Sequence, residues 1–472
     1  LGEREKEIIM SATQTTISPV DGSIYVERPF AAPARIDAAL DQAVRAQRGW
    51  AQRSIAERAA FCSKFCDVLL AHTDEIALEL AWQMGRPVAQ APNEVRSCVE
   101  RARFMIAHAA EGLADLDPGP KAGFKRYVKR VPLGVVFVIA PWNYPFLTAV
   151  NTVIPAIMAG NAVILKHAPQ TPLVAERFAE AFEEAGLPTG VFQYLHLEAA
   201  TAEALVHDPR IAHVAFTGSV AVGHAVSRAA AGRFISVGLE LGGKDPAYVR
   251  ADADIAYAAE NLVDGAFFNA GQSCCAIERI YVHEAVYDDF VARAVELTTQ
   301  YRLGNPTDPT TNLGPVVSVK AAGFIRAQMA EAVAQGAEPL IDARQFAADA
   351  AGSPYIAPQI MVNVSHRMRL MTEETFGPVV GIMKVGSDEA ALQLMNDSHY
   401  GLTAALFTND LAAAEAIGAQ IETGTVFLNR CDALDPALPW VGVKDSGRGH
   451  TLSIWGYEHL TRPQVFHLRL PA

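Results

Sequence analysis

Long apolar runs are scarce in this chain of 472 residues. The strongest, VVFVIA at 135–140 and the stretch from Val153 to Leu165, are short or interrupted by Pro155, Gly160 and Asn161. Neither approaches the roughly 20 residues that cross a bilayer. The opening LGEREKEIIM is charged and lacks the apolar stretch of a secretory leader, so export by that route is not expected. Cysteine is sparse. Six residues make no dense disulfide framework and fit a reducing, cytoplasmic location. Cys62 and Cys66 stand one helical turn apart with no His or second Cys pair beside them, which favours packing over metal ligation, and no metal site is expected. Basic charge is in deficit: 39 Lys and Arg face 52 Asp and Glu, a formal net charge of -13. Such a surface repels a phosphate backbone, which argues against nucleic acid as a partner. The GxGxxG fingerprint of dinucleotide-binding folds follows no convincing strand, so a Rossmann assignment by motif fails.

What remains is a large, half-hydrophobic chain, long enough for two or three structural units. From Ala34 to about Leu80 apolar residues recur three or four apart, which predicts two helices, the second closed by Gly85-Arg86-Pro87. A further helix ends near Ala110, and GLADLDPGPKAG reads as a loop. From Val135 onward short apolar strands alternate with helices: VVFVIA, NAVILK at 161–166, VFQYL at 191–195 and IAHVAF at 211–216. Strands spaced by helices of 10–15 residues predict a parallel sheet covered on both faces. A second α/β series runs from near Glu240 to GTVFLN at 424–429. Two alternating segments, 125–131 and PQVFHLRL at 463–470, lie outside both series and can pair with each other or with a partner chain.

Three segments carry chemistry. In FFNAGQSCCAIER, at 267–279, a cysteine after Gly-Gln is a candidate nucleophile, with a buried helix cysteine as the alternative. In VGLELGGKDP, Glu240 ends an apolar strand directly before Leu241 and two glycines. It is either a general base near the ligand crevice or a solvated turn glutamate. In VAFTGSVAVG, a strand leads through Gly218-Ser219 into a helix containing Gly223, a geometry that offers free N–H groups to a phosphate.

These segments and their order resemble the aldehyde dehydrogenase superfamily from about Ala34 to Leu470. The resemblance rests on PWNYP at 141–145, ILKHAPQTP at 164–172, FTGSVAVG at 216–223, LELGGK at 239–244, the cysteine segment, EETFGP at 373–378 and PWVGVKDSGRG at 439–449. It implies NAD(P)-dependent oxidation of an aldehyde to a carboxylic acid through a thiohemiacetal and a thioester on Cys274. Glu240 corresponds to the base that activates the hydrolytic water, and Asn143 to the oxyanion donor, together with the backbone N–H of the nucleophile. Cys275 corresponds to a packing neighbour. For the cofactor the resemblance implies Trp142, Lys166, Pro169, Gly218, Ser219, Gly223, Leu241, Glu374 and Phe376. For the acyl tunnel it implies Tyr144, Leu147, Thr148, Asn151 and Phe268.

The fold so implied is α/β. A Rossmann-like cofactor domain spans 1–112 and 132–240, an α/β catalytic domain spans 241–443, and a small β extension of 113–131 and 444–472 mediates assembly into a homodimer or homotetramer. Pro169 stands where many members carry a glutamate that repels a 2'-phosphate, so either NAD or NADP is implied. Asn151 stands where succinate-semialdehyde enzymes commonly carry an arginine. A dicarboxylic semialdehyde is disfavoured on that ground, unless Arg430 or a lysine elsewhere takes the contact. Two rival readings are transfer of the acyl group to coenzyme A, whose enzymes generally lack the glutamate at 240, and a catalytically silent structural relative.

Overall fold

The computed structural model describes residues 12–471. The charged opening segment read above, and with it the start of the expected 1–112 unit, lies outside the described residues.

The first helical region holds Pro33–Trp50, Ile55–Ala71, Thr73–Met84 and Ala91–Gly112. The periodicity from Ala34 to Leu80 predicts two helices, whereas the structure divides that stretch into three. Local polar chemistry overrides the apolar pattern there. Ser54 and Glu57 form a capping box that starts a new N-terminus, a cap generally worth about 1 kcal/mol. His72 then leaves helical geometry before Thr73 restarts it. Gly85 closes the third helix in the left-handed region, at φ 85°.

The sequence from Val135 to Glu240 builds the first sheet. Its six strands run in the order Gly447–Arg448, Ser236–Glu240, Ile211–Thr217, Val135–Ala140, Ala162–His167 and Phe192–Tyr194. All pair in parallel except the short Gly447–Arg448, which returns from the far end of the chain to lie antiparallel beside Glu240. The central strands are apolar throughout because helices cover both faces. Val136, Val138, Val163 and Leu165 pack with Phe65, Phe146 and Ile154 on one side. Val135, Phe137 and Ile164 pack with Ile36 and Leu40 on the other. This alternation of successive side chains is what buries a strand on two faces.

The second sheet has seven strands: Glu338–Pro339, Gln359–Val362, Val379–Val385, Ile277–His283, Asp245–Val249, Thr403–Phe407 and Thr425–Leu428. Only the first is antiparallel to its neighbour. Outside both sheets, Thr461–Arg469 pairs antiparallel with Phe124–Pro132 along its whole length, so the two extra segments pair with each other. The hairpin Thr13–Ile17 and Ile24–Pro29 has no counterpart among the sequence-based expectations. Among the described residues no helix is long and apolar enough to cross a membrane.

Candidate active site

The C-terminal edge of the first sheet carries four of the segments read above, the position at which parallel α/β sheets present ligand crevices. Strand Val135–Ala140 runs into Pro141-Trp142-Asn143, Ala162–His167 ends on Lys166 and His167, Ile211–Thr217 leads to Gly218-Ser219, and Ser236–Glu240 ends on Glu240. Ser219 sits at the N-cap of the helix Val220–Ala230, and its side chain makes no capping bond. The hydroxyl and the first N–H groups of that helix therefore remain for an anion. The second sheet meets this edge with the loops that precede its strands: Cys274 shortly before Ile277–His283, and Glu374 and Phe376 before Val379–Val385.

One cavity of about 480 Å³ lies between the two sheets. Asn143, Glu240 and Cys274 all border it, as do Trp142, Gly218, Ser219, Leu241, Glu374 and Phe376, and Tyr144, Leu147, Thr148 and Asn151. The structure does not bring Phe268, Lys166, Pro169 or Gly223 into that wall. Phe268 is half-buried at the start of the turn Phe268–Gly271. Lys166 is buried at its strand end, where its Nζ donates to the His167 carbonyl at 3.3 Å. Pro169 lies in the loop beyond, and its carbonyl accepts from Thr16 Oγ1 at 2.7 Å. Gly223 packs against Leu241, whose Cδ2 would lie 2.6 Å from any added Cβ. Arg430 is exposed, with its guanidinium over the Phe427 ring, and it is not part of the wall.

The two cysteines differ in their surroundings. Cys275 is buried, and its Sγ donates to Asp432 Oδ1 at 2.8 Å. Contact with Cys274, then burial, then the Asp432 charge hold the Cys275 thiol well above its ordinary pKa. Cys274 is half-buried on the cavity. Among the described residues its backbone N–H makes no hydrogen bond. Asn143 donates one amide hydrogen of Nδ2 to the Gln272 carbonyl at 3.2 Å, which leaves its second one available.

Glu240 accepts from Thr451 Oγ1 on one carboxylate oxygen and from Thr217 Oγ1, at 3.3 Å, on the other. Burial raises its pKa above the usual 4.5, while these two hydroxyls and the positive field of Arg101 oppose the rise. A carboxyl so placed titrates closer to neutrality, as a base for water requires. Glu374 is pushed up to about 8 by burial and by the neighbouring Glu278. It accepts from the Gly243 N–H at 3.1 Å. A Cβ at Gly242 would stand 2.5 Å from the Glu374 carboxylate oxygens, which accounts for glycine there.

Several residues that hold the site were not singled out from the sequence. Arg86, read only as part of a helix stop, donates to the Asn143 carbonyl at 2.6 Å and to Asn269 Oδ1 at 3.2 Å, and pairs with Glu94. Its guanidinium also lies over the Tyr144 ring, 4.4 Å from the centroid. Glu94 in turn accepts from the N–H groups of Phe146 and Leu147, at 3.0 and 3.2 Å, and so caps the helix Pro145–Met158. Asn269, left-handed at φ 54°, donates to the carbonyls of Asn143 and Gln272 and stitches the two loops together. Glu278 accepts from the N–H groups of Thr375 and Phe376 and pairs with Lys244, which fixes the loop bearing Glu374. A charged residue set between Gly85 and Pro87 is the one sequence signal for Arg86. For Asn269 and Glu278 the signal is tertiary.

Comparison with known proteins gives a consistent result. Residues 9–466 match the family model described as the aldehyde dehydrogenase family. A succinate-semialdehyde dehydrogenase [NADP(+)] of Mycobacterium tuberculosis is 35% identical over 447 residues, covering 93% of this chain and 96% of that protein. Among solved structures, succinic semialdehyde dehydrogenase from Streptococcus pyogenes in complex with NADP+ superposes with a TM-score of 0.92 at 28% identity, over 97% of this chain and all of the other, 100%. PnpE in complex with nicotinamide adenine dinucleotide superposes with a TM-score of 0.93 at 30% identity, over 98% of this chain and 95% of the other.

Proposed function

The chain belongs to the aldehyde dehydrogenase family, and its activity is the NAD(P)-dependent oxidation of an aldehyde to a carboxylic acid; from that premise we propose that Cys274, Asn143 and Glu240 carry the chemistry. The observation that supports this most directly is that all three side chains border one cavity, while the thiol of Cys275 is committed to Asp432.

The Cys274 sulfur adds to the aldehyde carbon. The oxygen, now anionic, takes hydrogen bonds from the free amide hydrogen of Asn143 and from the Cys274 N–H. Donors fixed in place before the charge develops stabilise it at little reorganisation cost. A bound nicotinamide dinucleotide supplies the acceptor for the hydride that leaves this carbon. The C=O bond re-forms and Cys274 holds an acyl thioester. Glu240 then takes a proton from water, the resulting hydroxide attacks the acyl carbon, the C–S bond breaks, and the thiolate of Cys274 returns as the acid departs. Retention of a carboxylate at 240 favours water over an external thiol as the acyl acceptor.

The residues present fit a dinucleotide. Ser219 and the open N-terminus of Val220–Ala230 suit the pyrophosphate, Glu374 the nicotinamide ribose, and Lys166 the adenosine ribose. Trp142 and Phe376 meet edge to face at 5.6 Å beside the same space. The mycobacterial relative is named for succinate semialdehyde and NADP+, which makes that aldehyde and that cofactor the first to assay. We assign the first sheet and its helices to the cofactor unit, the second sheet to the catalytic unit, and the ribbon of 124–132 and 461–469 to assembly. Exposed Val465 and Leu468 on that ribbon, with Leu470 just beyond its end, support a homodimer or homotetramer.

The test is Glu240→Gln in a rapid-mixing experiment. The amide keeps the shape but takes no proton from water, so one equivalent of NAD(P)H is expected in a burst, followed by a stall with acyl mass on the Cys274 peptide. Steady turnover at the wild-type rate across the pH range overturns the role given to Glu240.

A further inference from the structure

The helix Ala91–Gly112 turns Ser97, Glu100 and Arg101 toward the cavity that also holds Cys274. Ser97 and Arg101 are four residues apart and so share a helix face. Arg101 is half-buried, and its two hydrogen bonds both leave Nη1, to the Leu147 carbonyl at 3.1 Å and to Asn151 Oδ1 at 3.2 Å. Both acceptors are uncharged, and among the described residues Arg101 forms no ion pair.

A guanidinium in that position is costly, because burial works against its charge. The charges of Glu94 and Glu240 offset part of that cost through space, but no carboxylate is bonded to the guanidinium, since each is engaged elsewhere. Glu94 is bound to Arg86 and to the N–H groups of Phe146 and Leu147. Glu240 is bound by Thr451 and Thr217. Asp432 is bound by Cys275 and Ser273. Glu100 also borders the cavity but is exposed to solvent. The remaining face of the Arg101 fork, Nε and Nη2, has no protein acceptor, whereas Arg86, the other guanidinium of this region, has its donors distributed over Glu94, Asn143 and Asn269.

We infer that Arg101 binds a carboxylate at the far end of the aldehyde, so that the enzyme prefers short ω-oxo acids to neutral aldehydes of the same length. Two parallel N–H donors match a carboxylate's two oxygens, and the charge-assisted pair carries orientation as well as affinity. Nη1 is anchored by Leu147 and Asn151, which lie in the first two turns of the helix that follows Asn143. Leu147 and Asn151 follow Asn143 by four and eight residues, so the anion site lies one to two helical turns, roughly 6–12 Å, along that helix from the level of the oxyanion site. That separation suits an acyl chain of a few carbons. Asn151 acquires a role in this arrangement: its Oδ1 accepts from Nη1 and steadies the guanidinium. The inference rests on the catalytic reading above for the position of the aldehyde, and on Arg101 itself for the anion.

The experiment has two arms. In the kinetic arm, ω-oxo acids of three to six carbons are compared with the matching n-alkanals in wild type, Arg101→Gln and Arg101→Lys. The ratio of kcat/KM for the best oxo acid to that for its alkanal is expected to fall roughly 100-fold in Arg101→Gln, mainly through KM, with part of the loss restored by lysine. In the binding arm, succinate is titrated calorimetrically into wild type, Cys274→Ala and Arg101→Gln, which needs no turnover. Binding should persist in Cys274→Ala and be lost in Arg101→Gln. A wild-type ratio within threefold of one, or succinate binding unchanged in Arg101→Gln, overturns the assignment. Binding as expected, with no acyl mass on Cys274 during turnover, overturns the catalytic reading and leaves this one standing. If Arg101→Gln fails to fold, the wild-type ratio and competitive inhibition by succinate decide the matter by the same thresholds.

Discussion

Cys275 donates its thiol hydrogen to Asp432, Sγ to Oδ1 at 2.8 Å, and this bond separates two chemically identical neighbours. Burial pushes the Asp432 carboxyl up to about 7, and the Cys275 thiol is what pulls most strongly the other way. A thiol that serves as donor to a carboxyl group is a poor nucleophile, because the thiolate would face that carboxylate across the same contact. Cys275→Ser, which keeps a donor, is expected to retain kcat/KM within about threefold, while Cys274→Ser loses about three powers of ten or more. Peptide mapping after limiting iodoacetamide should find the label on Cys274. Label on Cys275 in native enzyme would reverse the assignment.

Thr451 gives a second, pH-resolved prediction. Its hydroxyl is the strongest local group lowering the pKa of Glu240, which burial otherwise raises. In the role proposed for it Glu240 takes a proton only when ionised, so turnover is expected to fall as pH drops through its pKa. Thr451→Val removes one hydrogen bond to the charged form, worth about 0.5–1.5 kcal/mol, or roughly half a pH unit to one unit. The acid limb of the kcat profile is therefore expected to move upward by about that amount. A limb that stays in place, or moves down, would mean that another group sets it.

Much of this arrangement was legible before the structure, for identifiable reasons. The strands of the first sheet are continuous apolar runs bounded by turn residues, and Val135–Ala140 appears where VVFVIA predicts it. Cys274 and Glu240 each leave a packing or turn reading open locally and Asn143 is picked out only by the resemblance, so the order of several segments together is what proposes a chemical role for all three. Arg101 was not legible. Arg96, Arg101 and Arg103 share one helix with Glu94 and Glu100, a pattern that reads as a solvated face, and only packing shows which arginine turns inward. Asp432 was equally hidden, since RCDALDP reads as loop and its partner Cys275 is distant in sequence. Phe268 illustrates the opposite case: an aromatic close to the nucleophile in sequence that the backbone kink at Asn269 and Ala270 carries away from the cavity wall.

Assembly is open to a direct measurement. The ribbon of 124–132 and 461–469 has Val465 at 71% exposure, although a valine so placed in a strand gains from burial. Sedimentation of the wild type at micromolar concentration should give a dimer or tetramer. Val465→Glu combined with Leu468→Glu should shift it toward monomer, because charges in an apolar interface are costly to desolvate. An active, monomeric wild type would sink the proposal.

Cofactor choice can be tested from two sides, through Lys166 and through Pro169. Burial pushes the Lys166 ammonium down to about 8, so the free enzyme carries that charge below pH 8 and loses it above. NADP differs from NAD by a 2'-phosphate, and only that group gains strongly from a cation nearby. The ratio of kcat/KM for NADP to that for NAD is therefore expected to fall at least threefold between about pH 7 and 9. Pro169 addresses repulsion. Its carbonyl accepts from Thr16 Oγ1, a backbone contact that survives a change of side chain, so Pro169→Glu adds a carboxylate while keeping this anchor. One repulsive charge of a few kcal/mol corresponds to roughly one or two powers of ten, taken from NADP rather than from NAD. Wild type should then discriminate between the two cofactors by less than about 100-fold, and Pro169→Glu should widen the gap in favour of NAD. A wild-type preference for NAD above about 10,000-fold would show that another residue enforces selectivity, and a pH-independent ratio would remove Lys166 from recognition of the phosphate.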